Sequence, residues 1–192
     1  MASKQSKSNS NNCEPAYRKS AKDRLQDFWD VFDKEDDVLV CINADPDSLA
    51  CALAIKRLLR YKVKTVTIAH PNEIRRMNNV TMVERLKIPL ERLKNVKVDE
   101  FNKKVIVDSQ PGHLPCFEKI DFDVIIDHHP VSGEWEAAHV DIRSDYGAAS
   151  TMLVEYLRAA KLKPSVALAT ALFYAIKVDT QNFEKSANTA DG

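Results

Sequence analysis

The chain has 192 residues, and its 28 Lys and Arg are matched by 28 Asp and Glu, so the formal net charge is zero. At roughly 100–200 residues per domain, that length accommodates one domain, or one domain and a tail, and a hydrophobic content of 44% is enough for a sizeable core. Zero net charge gives no global attraction to nucleic acid or an anionic membrane, and no apolar run approaches the roughly 18 residues of a membrane span.

The first residues, MASKQSKSNSNNCEP, lack the apolar centre of a signal peptide and the arginines of a transit peptide. The four cysteines, Cys13, Cys41, Cys51 and Cys116, show no CxxC spacing, so a reducing compartment is expected rather than a disulfide framework. The expectation is a cytoplasmic globular protein. Residues 1–15 are Ser, Asn and Lys with almost nothing apolar. Such a stretch cannot offset its ordering entropy and reads as a flexible tail, leaving 16–192 as the folded domain.

From Tyr17 to Phe32, the residues Leu25, Phe28, Trp29 and Phe32 fall at helical spacing between charges, which predicts an amphipathic helix. Val38–Ile42 is a short apolar run read as a strand, and Ser48–Arg60 reads as a buried helix. Val63–Ala69 is a second strand, and Thr81–Lys94 has a charged helical rhythm. Val105–Val107 and Val124–Ile126 are two more strands, followed by helices over Ala148–Leu162 and Ser165–Val178. Strands alternating with helices, all but Val63–Ala69 apolar throughout, predict an α/β fold: a parallel sheet with helices on both faces.

Acidic and imidazole residues follow several of the strands. Val38–Ile42 runs into Asn43, Asp45 and Asp47. Val105–Val107 runs into Asp108, Val124–Ile126 into Asp127, His128 and His129, and the last helix ends at Asp179. In open parallel sheets, ligands bind beyond the carboxyl ends of the strands. Carboxylates gathered there repel one another unless cations are present. Two divalent ions carry about the required charge, and two such ions can clamp a phosphoryl group for in-line attack by water. Each acid also has an ordinary reading. Asp45-Pro46-Asp47-Ser48 can be a turn and a helix cap, Asp108 a turn residue and Asp179 a solvated helix-end acid. Adjacent histidines after an apolar strand have no packing purpose, and the whole set in one order along one sheet edge favours a metal site.

Four motifs in order, Asn43-Ala44-Asp45-Pro46-Asp47, Val107-Asp108, Asp127-His128-His129 and Ile176-Lys177-Val178-Asp179-Thr180, resemble those of the DHH phosphoesterases. This superfamily includes manganese-dependent inorganic pyrophosphatases, single-strand exonucleases, cyclic dinucleotide phosphodiesterases and enzymes that degrade very short RNAs and phosphoadenosine phosphate. The resemblance spans about residues 38–183. It implies a DHH-type N-terminal lobe with Asp45, Asp47, Asp108, His128 and Asp179 as metal ligands, Asp108 bridging two ions. It also implies that His129 acts on the scissile phosphate, with Asp108 and His129 the catalytic pair. Asp127 and Asn43 would support the ligands from behind. Ser150, in the segment before the fourth motif, reads equally as a helix cap or a site residue.

Where many members carry a histidine two residues before the first-motif Asn, this chain has Cys41. A thiolate there would favour zinc, iron or cobalt over manganese or magnesium, and the alternative is a buried strand residue with no bond to metal. Ala175 stands where a glycine usually begins the fourth motif, a change that helical geometry tolerates. The resemblance further implies a second, Gly-rich basic lobe that grips substrate. Nothing after Asp179 matches it, so such a lobe is expected to be missing.

Three further groups are candidates near the sheet edge. His70 reads as a loop histidine, and His139 as structural. His113 and Arg75 could contact substrate, as could Arg76, while Arg85, Lys87, Arg92 and Lys94 read as a solvated helix face. No aromatic-rich basic strand suggests a stacking platform for single strands.

The expected function is that of a metal-dependent phosphoesterase with two divalent ions, manganese first, hydrolysing a small phosphorylated substrate such as a short oligonucleotide or nucleotide phosphate. An inorganic pyrophosphatase, or a non-catalytic domain sensing nucleotide or metal, is the alternative. No membrane association is expected, and a homodimer is a further expectation.

Overall fold

A computed structural model of the protein describes residues 19–185 and 187–192. The stretch 1–15, expected to be a tail, lies outside the described residues.

Six strands, β1 (Asp37–Cys41), β2 (Thr65–His70), β3 (Glu91–Arg92), β4 (Lys103–Val107), β5 (Val124–Asp127) and β6 (His139–Ile142), form one sheet in the order β3-β2-β1-β4-β5-β6. Every pairing is parallel. The chain runs outward from β1 through β2 to β3, then crosses to the other side of β1 for β4. This reversal opens a crevice between the loops that follow β1 and β4, which is where open α/β sheets bind ligands.

The side chains of β1 alternate. Val38, Val40 and Ile42 enter one core, whereas Leu39 and Cys41 enter another on the opposite face. The first core is covered by α1 (Ala21–Trp29), α2 (Pro46–Leu58), α3 (Met77–Leu86), α4 (Ala149–Ala159) and α5 (Val166–Asp179), through residues such as Phe28, Leu49, Met82, Leu153 and Leu172. The second face is closed by Phe117 and Phe122, with Leu93, Val98 and Leu114 packed against them. These come from short 3-10 turns at Leu93–Asn95 and Val98–Glu100 and from the chain after another at Pro111–His113. The parallel α/β sheet is as expected and both faces are covered, the five α-helices lying on one side and 3-10 turns and loops on the other.

The predicted helix over Thr81–Lys94 differs from the observed one. α3 starts earlier, at Met77, and ends at Leu86, with Lys87 in the left-handed region at φ 51°. Pro89 follows, and it cannot continue a helix, so the chain instead forms the two residues of β3 and a 3-10 turn. β6 carries no strand signal in the sequence because its pattern is inverted. His139 and Asp141 are buried and Val140 is exposed, the buried pair being satisfied by the Tyr156 hydroxyl at 3.0 and 2.8 Å.

Candidate metal centre

The loop after β1 enters α2 through a capping box. The Asp45 carboxylate accepts from the Ser48 N–H at 2.9 Å, and the Ser48 hydroxyl accepts from the Asp45 N–H at 3.0 Å, with Pro46 at the first helical position. The cap reading of Asp45-Pro46-Asp47-Ser48 is therefore realised for Asp45, whose charge still acts on the acids deeper in the crevice. Asp47, one turn further in, is fully buried. It reaches across the core to the start of α4, where its oxygens accept from the Ala149 and Ser150 N–H groups at 2.7 and 2.9 Å. Those are orphan donors of a helix N-terminus, where the helix dipole also favours a carboxylate. Ser150 thus serves the site through its backbone, its hydroxyl lying 3.6 Å from the Cys51 thiol.

Asp108 ends β4 with φ 56°, a left-handed conformation that Asp tolerates better than most residues. Its N–H bonds the Ile126 carbonyl at 2.9 Å. Asp179 closes α5, where the helix dipole opposes a carboxylate.

His128 lies among these acids. Its Nδ1 is 3.1 Å from the Tyr146 carbonyl, an atom that only accepts, so Nδ1 carries a proton and Nε2 is the nitrogen left to offer a lone pair to a cation. That Nε2 lies 3.3 Å from Asp108 Oδ1, 3.5 Å from Asp179 Oδ2 and 3.8 Å from Asp47 Oδ2. Both His128 Nε2 and Asp108 Oδ1 are buried without a hydrogen-bond partner. Buried polar atoms left without a hydrogen-bond partner are costly. Burial, and then the charges of Asp47, Asp45, Asp179 and Asp127, push the Asp108 carboxyl well above the usual carboxylate range. Burial followed by Asp47 and Asp45 pushes Asp179 up to about 7. Burial also raises Asp47, partly offset by His128. A cation among these oxygens and the imidazole nitrogen relieves all three. Oxygen and imidazole donors suit manganese, magnesium, zinc or iron, so the residues present fit a divalent metal. Asp47, His128 and Asp179 offer ligand atoms within 4.8 Å of one another, as do Asp108, His128 and His129.

His129 turns outward and is about half exposed. Its Nδ1–H donates to Asp127 Oδ1 at 2.8 Å. The hydrogen bond to Asp127 raises the His129 pKa against the effect of burial. For Asp127, burial pushes upward, but the hydrogen bonds from His129 and Gln110 outweigh it and hold the carboxyl below its ordinary value. Gln110, which the sequence reading did not single out, is fully buried. Its amide donates to Asp127 Oδ2 at 2.7 Å and to the Pro130 carbonyl at 3.0 Å. Its carbonyl accepts from Ser132 N–H and Oγ, both at 2.8 Å, and from Trp135 Nε1 at 3.3 Å. One amide therefore fixes the loop carrying His128 and His129. Only its position two residues after a strand-end acid could have pointed to it.

His113 comes close to this pair: its ring centroid is 5.6 Å from that of His129, and its Nδ1 accepts from the Gln110 N–H at 3.2 Å. Arg75 does not enter the acid cluster. It is exposed and paired with Glu73 at 2.5 Å, on the rim of a cleft of about 350 Å³ that also includes Asn43 and Asp45. The Asn43 side chain does not support the ligands as expected; the residue is exposed, and its carbonyl accepts from the Ser48 hydroxyl at 3.1 Å.

The structure does not bring Cys41 to the metal centre. Strand alternation turns it to the opposite face, among Leu39, Ala69, Ile106 and Phe117. Burial, followed by the nearby Cys116, pushes its thiol up to about 12, the state of an apolar strand residue. His70 and His139 are structural, bonding the Asn72 carbonyl and the Tyr156 hydroxyl at 2.8 and 3.0 Å.

Residues 37–176 match the DHH family N-terminal domain. The chain belongs to the DHH family. Over 154 residues it is 32% identical to the uncharacterized protein MJ1633 of Methanocaldococcus jannaschii, and the match covers 80% of this chain and 32% of that protein. The chain thus spans about a third of the length of the curated relative it matches. Among solved structures, it resembles a Methanococcus jannaschii protein provisionally assigned as a family II inorganic pyrophosphatase, at TM-score 0.63 and 20% identity over 80% of this chain and 52% of that one. It also resembles an exopolyphosphatase-related protein from Bacteroides fragilis, at TM-score 0.66 and 16% identity over 88% and 52% of the two chains. At these identities the structural likenesses establish a shared DHH-type fold. Among the described residues, no helix is long and apolar enough to cross a membrane.

Proposed function

We propose that the protein is a metal-dependent phosphohydrolase acting on a small phosphorylated substrate, with two divalent ions held by Asp45, Asp47, Asp108, His128 and Asp179. The observation that carries this reading is the pair of buried atoms without a hydrogen-bond partner, His128 Nε2 and Asp108 Oδ1, 3.3 Å apart in a ring of carboxylates. Family membership and the names of the two structural neighbours, a pyrophosphatase and an exopolyphosphatase-related protein, support phosphorus as the reacting centre.

When bound, divalent cations supply Lewis acidity and lower the pKa of water. The chain's own residues do the rest. Asp47 is pinned by two α4 amides and the Tyr146 carbonyl fixes the His128 tautomer, so the donor set is preorganised. His129, whose pKa is raised by the hydrogen bond to Asp127, is half exposed at the mouth of the site and in its protonated form can bind the phosphoryl oxygens or protonate a departing oxygen. Asp127 holds the ring, and Gln110 holds Asp127. Short oligonucleotides or nucleotide phosphates remain the first substrate choice, manganese the first metal, and inorganic pyrophosphate the enzymatic runner-up.

The test is hydrolysis of bis-p-nitrophenyl phosphate, p-nitrophenyl phosphate, a dinucleotide and pyrophosphate by the full chain with manganese, beside Asp108→Ala. Turnover of one of them that is lost in the variant supports the reading. Wild type and variant equally inactive, with both binding nucleotide, would favour a non-catalytic sensing domain.

A further inference from the structure

The hydrogen-bond donors at and just before the start of α4 are divided between two buried carboxylates. Ala149 and Ser150 donate to Asp47. The Gly147 N–H donates instead to Asp191 Oδ2 at 3.1 Å, and the Thr151 hydroxyl donates to Asp191 Oδ1. Asp191 belongs to none of the four motifs, yet it is only 6% exposed. A turn of its own holds it. Asp191 Oδ2 also accepts from the Asn188 N–H at 2.7 Å, and the Asp191 N–H donates to the Asn188 carbonyl at 3.2 Å. The Asn188 side-chain amide donates in turn to the Asp145 carbonyl at 2.7 Å. The segment 188–191 is thus fastened to the stretch 145–151 at three points.

One of these points bears on the metal centre. The N–H of Gly147 and the carbonyl of Tyr146 belong to a single peptide unit, which is planar. Its N–H donates to Asp191, and its carbonyl accepts the Nδ1–H of His128 at 3.1 Å. A carboxylate on the N–H fixes the tilt of that plane and, by polarising the amide, makes the carbonyl a better acceptor. Tyr146 is anchored separately, by its N–H to the Arg143 carbonyl and by its hydroxyl to Glu155 at 2.7 Å. What Asp191 sets is therefore the plane of the peptide rather than the place of the residue. A line of hydrogen bonds runs from Asp191 through a backbone amide to an imidazole whose other nitrogen faces Asp108, Asp179 and Asp47.

We propose that Asp191 is a positioning residue for the metal centre, acting on His128 through the Tyr146–Gly147 peptide. Its functional consequence rests on the metal-dependent reading, whereas the placement of the ring needs no metal. Outer partners of ligating histidines govern metal affinity by roughly 10–100-fold. The plainer role, in which Asp191 only ties the segment 188–191 to α4, leaves His128 untouched when Asp191 is lost.

The test compares the full chain with Asp191→Ala and Asp191→Asn. Asn preserves the fit, because its carbonyl oxygen can accept from Gly147 and Asn188 while its amide donates to the Thr151 hydroxyl. In EDTA, with ¹⁵N-labelled histidine side chains, the His128 Nδ1–H should give a one-bond ¹H–¹⁵N signal sheltered from exchange in wild type and Asp191→Asn, and lose it in Asp191→Ala. Calorimetric titration of manganese should show an affinity about tenfold lower or worse in Asp191→Ala, restored in Asp191→Asn. Phe122→Ala, which loosens the core on the other face of the sheet, should change neither. Absence of the signal from wild type, its survival in Asp191→Ala, or a manganese affinity in Asp191→Ala equal to that of wild type would overturn the proposal. So would an Asp191→Asn protein no better than Asp191→Ala, or the same losses in Phe122→Ala. A wild type that binds no manganese would remove the metal-centre reading, and the imidazole signal alone would then decide whether Asp191 places the ring.

Discussion

Asp179→Asn is expected to stabilise the metal-free protein while removing its response to metal. Asp47 and Asp179 place oxygens within 4.8 Å of each other and of His128. At an effective dielectric constant near 20, two unit charges at that separation repel by about 3.5 kcal/mol. The Asp179 side chain is 25% exposed, so solvent screening reduces the usable part to roughly 1–2 kcal/mol. At ~2–4 °C per kcal/mol for a domain of this size, the melting temperature in EDTA rises by roughly 2–8 °C. The effect depends on pH in a defined direction. The Asp179 carboxyl titrates near 7 in the fold against an ordinary 3.8. Below about pH 4, it is protonated both folded and unfolded and costs nothing. Between about 4 and 7, only the unfolded chain releases the proton readily, so the folded state loses stability, and above 7 the loss is complete. Calorimetric melts in EDTA at about pH 5 and about pH 8 should therefore show a larger advantage for Asn at the higher pH. Added manganese should raise the wild-type melting temperature and leave that of the variant nearly unmoved. A variant that melts at or below wild type at about pH 8 in EDTA would refute the frustrated-acid reasoning.

Cys41→Ser should leave metal content and metal identity unchanged while lowering stability by about 1–3 kcal/mol, since a hydroxyl among Leu39, Ile106 and Phe117 finds no partner; elemental analysis beside a denaturation curve checks both. Gln110→Leu should cost about 3 kcal/mol, because Asp127, Ser132 and Trp135 all lose a buried partner, and kcat should fall more than KM rises as His129 loses its fixed orientation. Leu49→Ala, at the centre of the helical core, should cost about 2–5 kcal/mol in a urea melt without changing metal content. Asp141 is pushed up by burial, but paired hydrogen bonds from Arg143 outweigh this and leave its carboxyl below the ordinary 3.8. Its stabilising contribution is therefore complete above that value and fades as pH falls through the lower folded value, so the stability gap between wild type and Asp141→Asn should close in strong acid.

The sheet was legible because β1, β4 and β5 are apolar runs that end in acids, and the parallel arrangement follows from strands buried on both faces. α2, α4 and α5 were legible from their apolar lengths, to within about three residues at either end. What was hidden depends on partners distant in sequence. β6 presents His139 and Asp141 inward because Tyr156 and Arg143 satisfy them, a pattern no hydropathy rule anticipates. Asp47 looked like half of a helix cap, yet it caps a different helix, 102 residues away in the chain. Gln110 has no signature, since its importance lies in serving Asp127, Ser132 and Trp135 together. Cys41 shows the limit of reading by position. It stands where a ligand is expected, but the period of two along β1 turns it to the wrong face, and the sequence does not say which face carries the helices.

The most direct test of the metal centre is calorimetric titration of manganese into metal-free wild type and Asp108→Asn. Saturable binding of two ions per wild-type chain, with both lost or weakened at least about tenfold in the variant, is the expected result. Equal binding by the two proteins would contradict the assignment of Asp108 and His128 as the heart of a metal site.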